Sequence, residues 1–304
     1  MATSNAPQYD IITPLQPAEA APAVRAITPG DLADALAKGI ADFRAMPTHA
    51  LFLAVLYPIV GLLIGSLAFG YDFITLMFPI AAGFALIGPF AAIGLYELSR
   101  RREMGRDTSW HHAFDVLQSP SLGAILRLGL LLLIVFVAWV AVADWVHVAY
   151  FGKWQPASVR ELFDDVFGSS QGHTMLLVGG AIGFVFAGLV LMLTVVAFPL
   201  LLDRDVGVGT AMATSLRVAF KSPLTISLWG VIVAVSLAIG SLPFFFGLAV
   251  VLPVLGHATW HLYRKAVAPA AGQRPDYRPQ PKRIRYAAEF PASLFVPSSD
   301  VEER

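Results

Sequence analysis

The sequence predicts an all-α polytopic membrane protein: six transmembrane helices in three hairpin repeats, each preceded by a short amphipathic helix. Three observations lead there. Of the 304 residues, 57% are hydrophobic and 14% charged, which is too apolar for a soluble domain of ordinary composition. The apolar residues come in runs long enough for a hydrocarbon core of about 30 Å. A proline-to-basic module also recurs, PFAAIGLYELSRR at 89–101 and PVLGHATWHLYRK at 253–265. Counted from Pro89 and Pro253, offset seven is aromatic (Tyr96, Trp260), offset eight polar (Glu97, His261) and offset nine leucine (Leu98, Leu262). Offsets eleven and twelve are basic (Arg100, Arg101; Arg264, Lys265), as expected where an apolar helix leaves a membrane.

Residues 1–30 are rich in Pro and Ala with no apolar core. They read as a disordered cytoplasmic tail rather than a signal peptide, leaving the first span to direct insertion. From 31 to 46, Leu32, Leu36, Ile40 and Phe43 recur at helical spacing, with Asp34, Lys38, Asp42 and Arg44 mostly elsewhere. Asp31 is the expected N-cap and Pro47 the break. This helix is too short and charged to cross a bilayer and is expected to lie on the membrane surface or pack beneath the bundle.

The six-span membrane domain is expected over 31–267, with spans at about 50–70, 73–98, 122–148, 175–202, 224–242 and 244–263. Gly61 and Gly65 form a GxxxG in the first span, a pattern that permits close helix contact. Pro79 and Pro89 interrupt the second; such prolines free carbonyls that neighbouring helices must satisfy. Arg100, Arg101, Arg102 and Arg106 stop it, and Trp110, Phe114 and Leu117 begin a second amphipathic stretch. Arg127 and Asp144 bracket the uncharged middle of the third span and can each snorkel to an interface. Residues 157–167 read as a short surface helix. Gly179, Gly183 and Gly188 open the fourth span to tight packing, and Pro199 precedes Asp203, Arg204 and Asp205. A third amphipathic stretch, with Met212, Leu216 and Phe220, ends at Pro223. Residues 268–304 read as a second disordered, basic cytoplasmic tail.

Each unit enters from the same side, so the internal repeat is of the parallel kind that duplication of a stable hairpin produces. All but Lys153 and Arg160 of the 21 Lys and Arg residues fall on the side shared by both termini. The positive-inside rule then places both termini in the cytoplasm.

Candidate chemistry is sparse. His257 and His261, four apart, can present two ligands to one metal or flank a porphyrin. Their position beside Trp260, Tyr263 and Arg264 is equally that of interface anchors, the favoured reading. His111 and His112 are expected to point apart on a helix, a poor ligand pair, and His49, His147 and His173 sit near span ends. Glu97 is the carboxylate nearest an apolar span; a surface ion pair with Arg100 or Arg101 is favoured over a proton or cation relay. Asp203 and Arg204 read as a structural corner, capping the next segment or pairing with neighbouring basic exits. Pro89, Tyr96, Glu97, Arg100, Pro199, Asp203, Arg204, Pro253, Trp260 and Arg264 are thus structural residues, with no catalytic residue and no metal site expected. There is no cysteine and no P-loop, Rossmann glycine pattern, HExxH or GxSxG. No ionisable residue is expected at the middle of a span, where an ion-coupled carrier usually places one.

The succession GPFAAIGLYELSRRREMG, FPLLLDRDVG with an AxxxS segment at 211–215, and LPVLGHATWHLYRK resembles the bacterial membrane family catalogued as domain of unknown function 2189. Some members carry a cytochrome c oxidase subunit label. The resemblance extends over about residues 30–267 and implies a multi-pass protein of the bacterial inner membrane; it brings no functional residues. The expected role is a non-catalytic accessory or scaffold subunit of a membrane complex, with the lipid bilayer and other membrane subunits as partners, no nucleic acid and no cofactor. A transporter or channel for a small or lipid-like solute is the alternative, and a haem-binding respiratory subunit a more distant one.

Overall fold

The structure is a computed structural model and describes residues 22–46, 79–80, 88–90, 92–152, 159–242 and 247–269. Among these the chain is helical: α1 (Pro29–Ala45), α2 (Ile93–Glu103), a 3-10 helix (Trp110–Gln118), α3 (Leu122–Phe151), α4 (Val159–Gly168), α5 (Ser170–Thr194), α6 (Ala197–Asp203), α7 (Val208–Lys221), α8 (Pro223–Ser241) and α9 (Leu248–Ala266). The one extended pairing among the described residues is an isolated antiparallel bridge, Val24 to Val267.

Three stretches of the described residues are long and apolar enough to cross a membrane: Leu122–Phe151, Ser170–Asp203 and Pro223–Ser241. They correspond to the third, fourth and fifth expected spans. Those expected at 50–70 and, for most of its length, 73–98 lie outside the described residues, as do Gly61 and Gly65. The sixth, α9, is not among the three. Its second half carries His257, His261, Arg264 and Lys265 and is largely buried against protein. Leu130 and Val137 of α3, Leu177 and Phe184 of α5, and Leu224 and Val235 of α8 point outward, as side chains do when the surrounding solvent is hydrocarbon.

The fourth span is one rod with a break. Pro199 has no N–H to give to the preceding turn, and the helix is interrupted at Val195 and Val196 between α5 and α6. Ser215 of α7, fully buried, bridges that interruption. Its hydroxyl donates to the Met192 carbonyl at 2.8 Å and accepts from the Val196 N–H at 3.5 Å. A neighbouring helix thus satisfies the Met192 carbonyl and the Val196 N–H, which the break leaves without each other.

The amphipathic stretches are turned so that small and polar residues also face inward. Helix α1 starts at Thr28, whose hydroxyl accepts from the Asp31 N–H while the Asp31 carboxylate accepts from the Thr28 N–H. Asp31 is therefore the third residue of a capping box and not the N-cap. The buried stripe of α1 is Leu32, Ala35, Gly39 and Asp42, continued by Met46, while Ile40 is exposed. On the 3-10 helix Trp110, Phe114 and Leu117 face out and His112, Ala113 and Val116 in. On α7, Phe220 is exposed and Ala211, Thr214, Ser215 and Val218 are buried. Small residues let helices approach closely, so they take the protein side.

Residues 22–28, expected within the disordered tail, are packed into the fold. The Arg25 N–H donates to Ala266 O at 2.7 Å, and the Ala268 N–H to Ala23 O at 2.9 Å. Ser222 Oγ accepts from the Ile27 N–H, and Thr225 Oγ1 donates to Ile27 O. Buried Ile27 joins the core. Residues 22–30 are therefore part of the fold and not of a disordered tail, because the backbone of this segment finds partners on Ser222, on α8 and at the end of α9.

Candidate functional site

Close backbone approach builds the site. A Cβ on Gly39 would lie 2.7 Å from both Ala258 N and Val254 O, and one on Gly256 would lie 2.6 Å from Leu95 Cδ1. Glycine on α1 and on α9 thus allows α9 to be clamped between α1 and α2. One turn beyond Gly39, Asp42 is carried into the interior beside the polar face of α9.

Asp42 is 2% exposed and meets side chains from both α2 and α9. Ser99 Oγ donates to Asp42 Oδ2 at 2.5 Å, and His261 Nε2 lies 2.9 Å from the same oxygen. Arg102 Nη1 donates to Asp42 Oδ1. His257 Nδ1 lies 2.7 Å from Ser99 Oγ. A serine hydroxyl has one proton to give. Given to Asp42, it leaves His257 Nδ1 as the donor to Ser99, which sets the imidazole tautomer. Burial alone would raise the Asp42 carboxyl; the hydrogen bonds from His261, Ser99 and Arg102 and the His261 charge outweigh it and hold the group below its ordinary value.

A second carboxylate ties in the third helix end. Asp203, at the last turn of α6 and 2% exposed, accepts from Tyr263 Oη at 2.7 Å and faces Arg264 Nη1 at 3.5 Å and Arg100 Nε at 3.9 Å. Arg100 also donates to Glu97 Oε2 at 3.1 Å, both side chains 1% exposed. Glu103 joins α2 to α9, accepting from Trp260 Nε1 at 3.0 Å and from Arg264 Nε at 3.1 Å. At the rim, Lys265 meets Asp31 at 3.1 Å and Asp34 at 2.9 Å. Lys38 and Lys265 hold the Asp34 carboxyl down to about 2.

The ends of α2, α6 and α9, each following one of the prolines read in the sequence, therefore meet in a cluster of adjoining ionic and hydrogen-bonded groups. Pro253 is buried inside α9 and Pro199 inside α6, while Gly88–Phe90 is helical and leads to α2 through the Ala92 N–H to Gly88 O bond. Arg204 leaves this centre and donates to Ala268 O, beside the N-terminal segment.

Several expectations change. Tyr96 and Trp260 are core residues, 2% and 0% exposed, and not interfacial anchors. The Glu97–Arg100 pair forms at i,i+3, but inside the protein and not on a helix surface. His257, at 1% exposed, is likewise no anchor. Each change has the same cause: a position that would meet lipid headgroups on a lone span meets another span's end here. The face that His257 and His261 share is covered by α1, whose backbone touches Ala258, so these residues do not fit a haem. Sequence reasoning missed Asp42 and Ser99. A glycine three residues before Asp42 was the available signal, since it marks the side of α1 that approaches another helix.

His111 and His112 do not diverge. Their ring centroids are 4.0 Å apart, and with Asp107 they offer three ligand atoms within 4.8 Å of one another, where no metal-ligating set was expected.

Apolar rods with outward-facing aliphatic side chains, joined at one end by a buried ionic network, define a multi-pass integral membrane protein. Residues 77–203 match the family described as "Predicted integral membrane protein (DUF2189)". The match runs through α2 to the end of α6; α1 and α7–α9, and with them Asp42, His257 and His261, lie outside it. No curated protein and no solved structure matches the chain.

Proposed function

We propose that this chain is a non-catalytic, six-span protein of the bacterial inner membrane, with three parallel hairpin units and cytoplasmic termini, serving as an accessory or scaffold subunit of a membrane complex. The observation that carries the reading is the network itself. Asp42, Glu97, Glu103 and Asp203 are each matched to cationic or hydroxyl donors, most of them from other helices, an arrangement that fixes helix ends and spends its polar groups on one another. The backbone bonds joining residues 23–25 to 266–268 support an even number of crossings, since an odd number would part these two segments across the bilayer. The three spans described, with α9 and the two expected before residue 99, make six.

Affinity isolation of the full chain in mild detergent, followed by mass spectrometry, tests the subunit role. A stable co-purifying membrane protein at fixed stoichiometry, whose abundance falls when this chain is deleted, is the expected result. Isolation as a lone chain, with other membrane complexes unchanged in the deletion, overturns it.

One observation favours a second reading, the binding of a lipid-like solute. A cavity of about 370 Å³ between α1, α2 and α9 is lined by Lys38, Glu103, His261, Arg264 and Lys265. Four basic side chains at a helix end are the setting in which anionic headgroups bind. Retention of an anionic phospholipid through purification, lost in Arg264→Ala, would favour it.

A further inference from the structure

Beyond the network, the segment after α2 gathers a separate set of groups. Gly105, at φ 65°, turns the chain out of α2. Asp107 then precedes the 3-10 helix that carries His111 and His112. Buried His112 lies between two carboxylates: Nδ1 is 2.7 Å from Asp115 Oδ2, and Nε2 is 3.0 Å from Asp107 Oδ2. Asp115 is held in turn by Arg101 Nη1 at 3.0 Å.

A neutral imidazole has one N–H. Given to Asp115, the less exposed and Arg-paired carboxylate, it leaves the lone pair of Nε2 facing the Asp107 oxygen. Two acceptors at that distance require a cation between them, a proton or a metal ion. Tetrahedral Zn²⁺, with bonds near 2.0–2.2 Å, sets adjacent ligand atoms roughly 3.3 Å apart, close to the separation found. A ligating histidine characteristically donates its other nitrogen to a carboxylate, and Asp115, oriented by Arg101, stands in that position. His111 supplies a third ligand atom from the exposed side.

We propose that Asp107, His111 and His112 bind a divalent first-row transition metal of the Zn²⁺ type, with a fourth position open to solvent. Asp115 and Arg101 orient His112. The ion ties the turn at Asp107 to the first turn of the 3-10 helix, whose residues Trp110, Phe114 and Leu117 face outward.

The test uses the full chain in detergent, purified without a histidine tag and stripped of metal. Titration with Co²⁺ is expected to give a saturable visible absorption band at one equivalent, displaced by one equivalent of Zn²⁺. In His111→Ala and in Asp107→Asn, both at exposed positions, the apparent affinity is expected to fall at least tenfold with the thermal midpoint of the metal-free protein unchanged. Absence of saturable binding by the native chain overturns the proposal. So does unchanged affinity in His111→Ala, which would place the ion at another histidine.

Discussion

Asp42 and Asp34 lie on the same helix and both contact a histidine or lysine of α9, yet their energetic weight differs by burial. Removing one partner of a buried charge network leaves the others desolvated, at a cost of about 3–5 kcal/mol. An exposed pair contributes about 0–1 kcal/mol. Asp42→Ala is therefore expected to lower the thermal midpoint in detergent strongly, and Asp34→Ala hardly at all. Acid titration checks the same assignment. Asp42, Asp31 and Asp34 all have lowered values in the fold. Their stabilising contribution is complete above the unfolded carboxylate value, about 3.9, and is lost as pH falls through the folded values. The unfolding midpoint is expected to drop as pH falls through the carboxylate range, with a shallower drop in Asp42→Ala. Individual roles were the least legible part of the sequence. Periodicity marks Asp42 as polar, and nothing local says that its partners lie more than fifty residues away on α2 and α9.

At the scale of the element, the apolar moment of a short helix does not say which face meets protein. Leu32, Leu36, Ile40 and Phe43 gave the expected stripe of α1, but the helix turns Ala35, Gly39 and Asp42 inward. In water the large apolar face would be the buried one; at a bilayer surface that face has a second apolar phase to enter. The 3-10 helix turns Trp110, Phe114 and Leu117 outward and α7 turns Phe220 outward, while Leu32, Leu36 and Met212 pack on the core, so the three elements were legible as elements and only partly as to orientation. The contact that decides α1 is Gly39 on Ala258 and Val254. A leucine there meets backbone atoms that cannot move aside, and overpacking of this kind costs about 1–3 kcal/mol or more. Gly39→Leu is expected to loosen α1 from α9, read as faster proteolysis near residue 46 in detergent. Ser215→Ala, which removes the bridge at the Pro199 break, is expected to cost about 1–3 kcal/mol in a thermal melt.

For the whole molecule, hydropathy was enough for class and for the limits of three spans: 122–148, 175–202 and 224–242 agree with the helices to within a few residues. Composition could not show that the three proline-to-basic exits converge, because convergence depends on packing between segments far apart in sequence. Two of the exits were legible as one recurring pattern and the third only as a proline before charged residues; the hydrogen bonds among them were not legible. Sidedness can be measured cleanly because the chain contains no cysteine. With a single cysteine introduced in turn, Arg160→Cys is expected to react with a membrane-impermeant thiol reagent in intact cells once the outer barrier is permeabilised. Lys221→Cys is expected to react only after lysis. Reversed labelling would invert the proposed topology.

The short N-terminal segment that lies along Ser222, Thr225 and the end of α9 bears on how the protein is made. Its hydrogen bonds span sequence separations of 195 and 198 residues, and its bridge reaches Val267. Loops of that size close slowly and late. The N-terminal segment must therefore wait for Ser222 and Thr225 to be made before Ile27 can dock, and for the end of the last helix before Ala23 and Arg25 find their backbone partners. Completion of the fold is coupled to completion of synthesis, and a chain arrested before residue 266 would carry its N-terminal segment only partly docked.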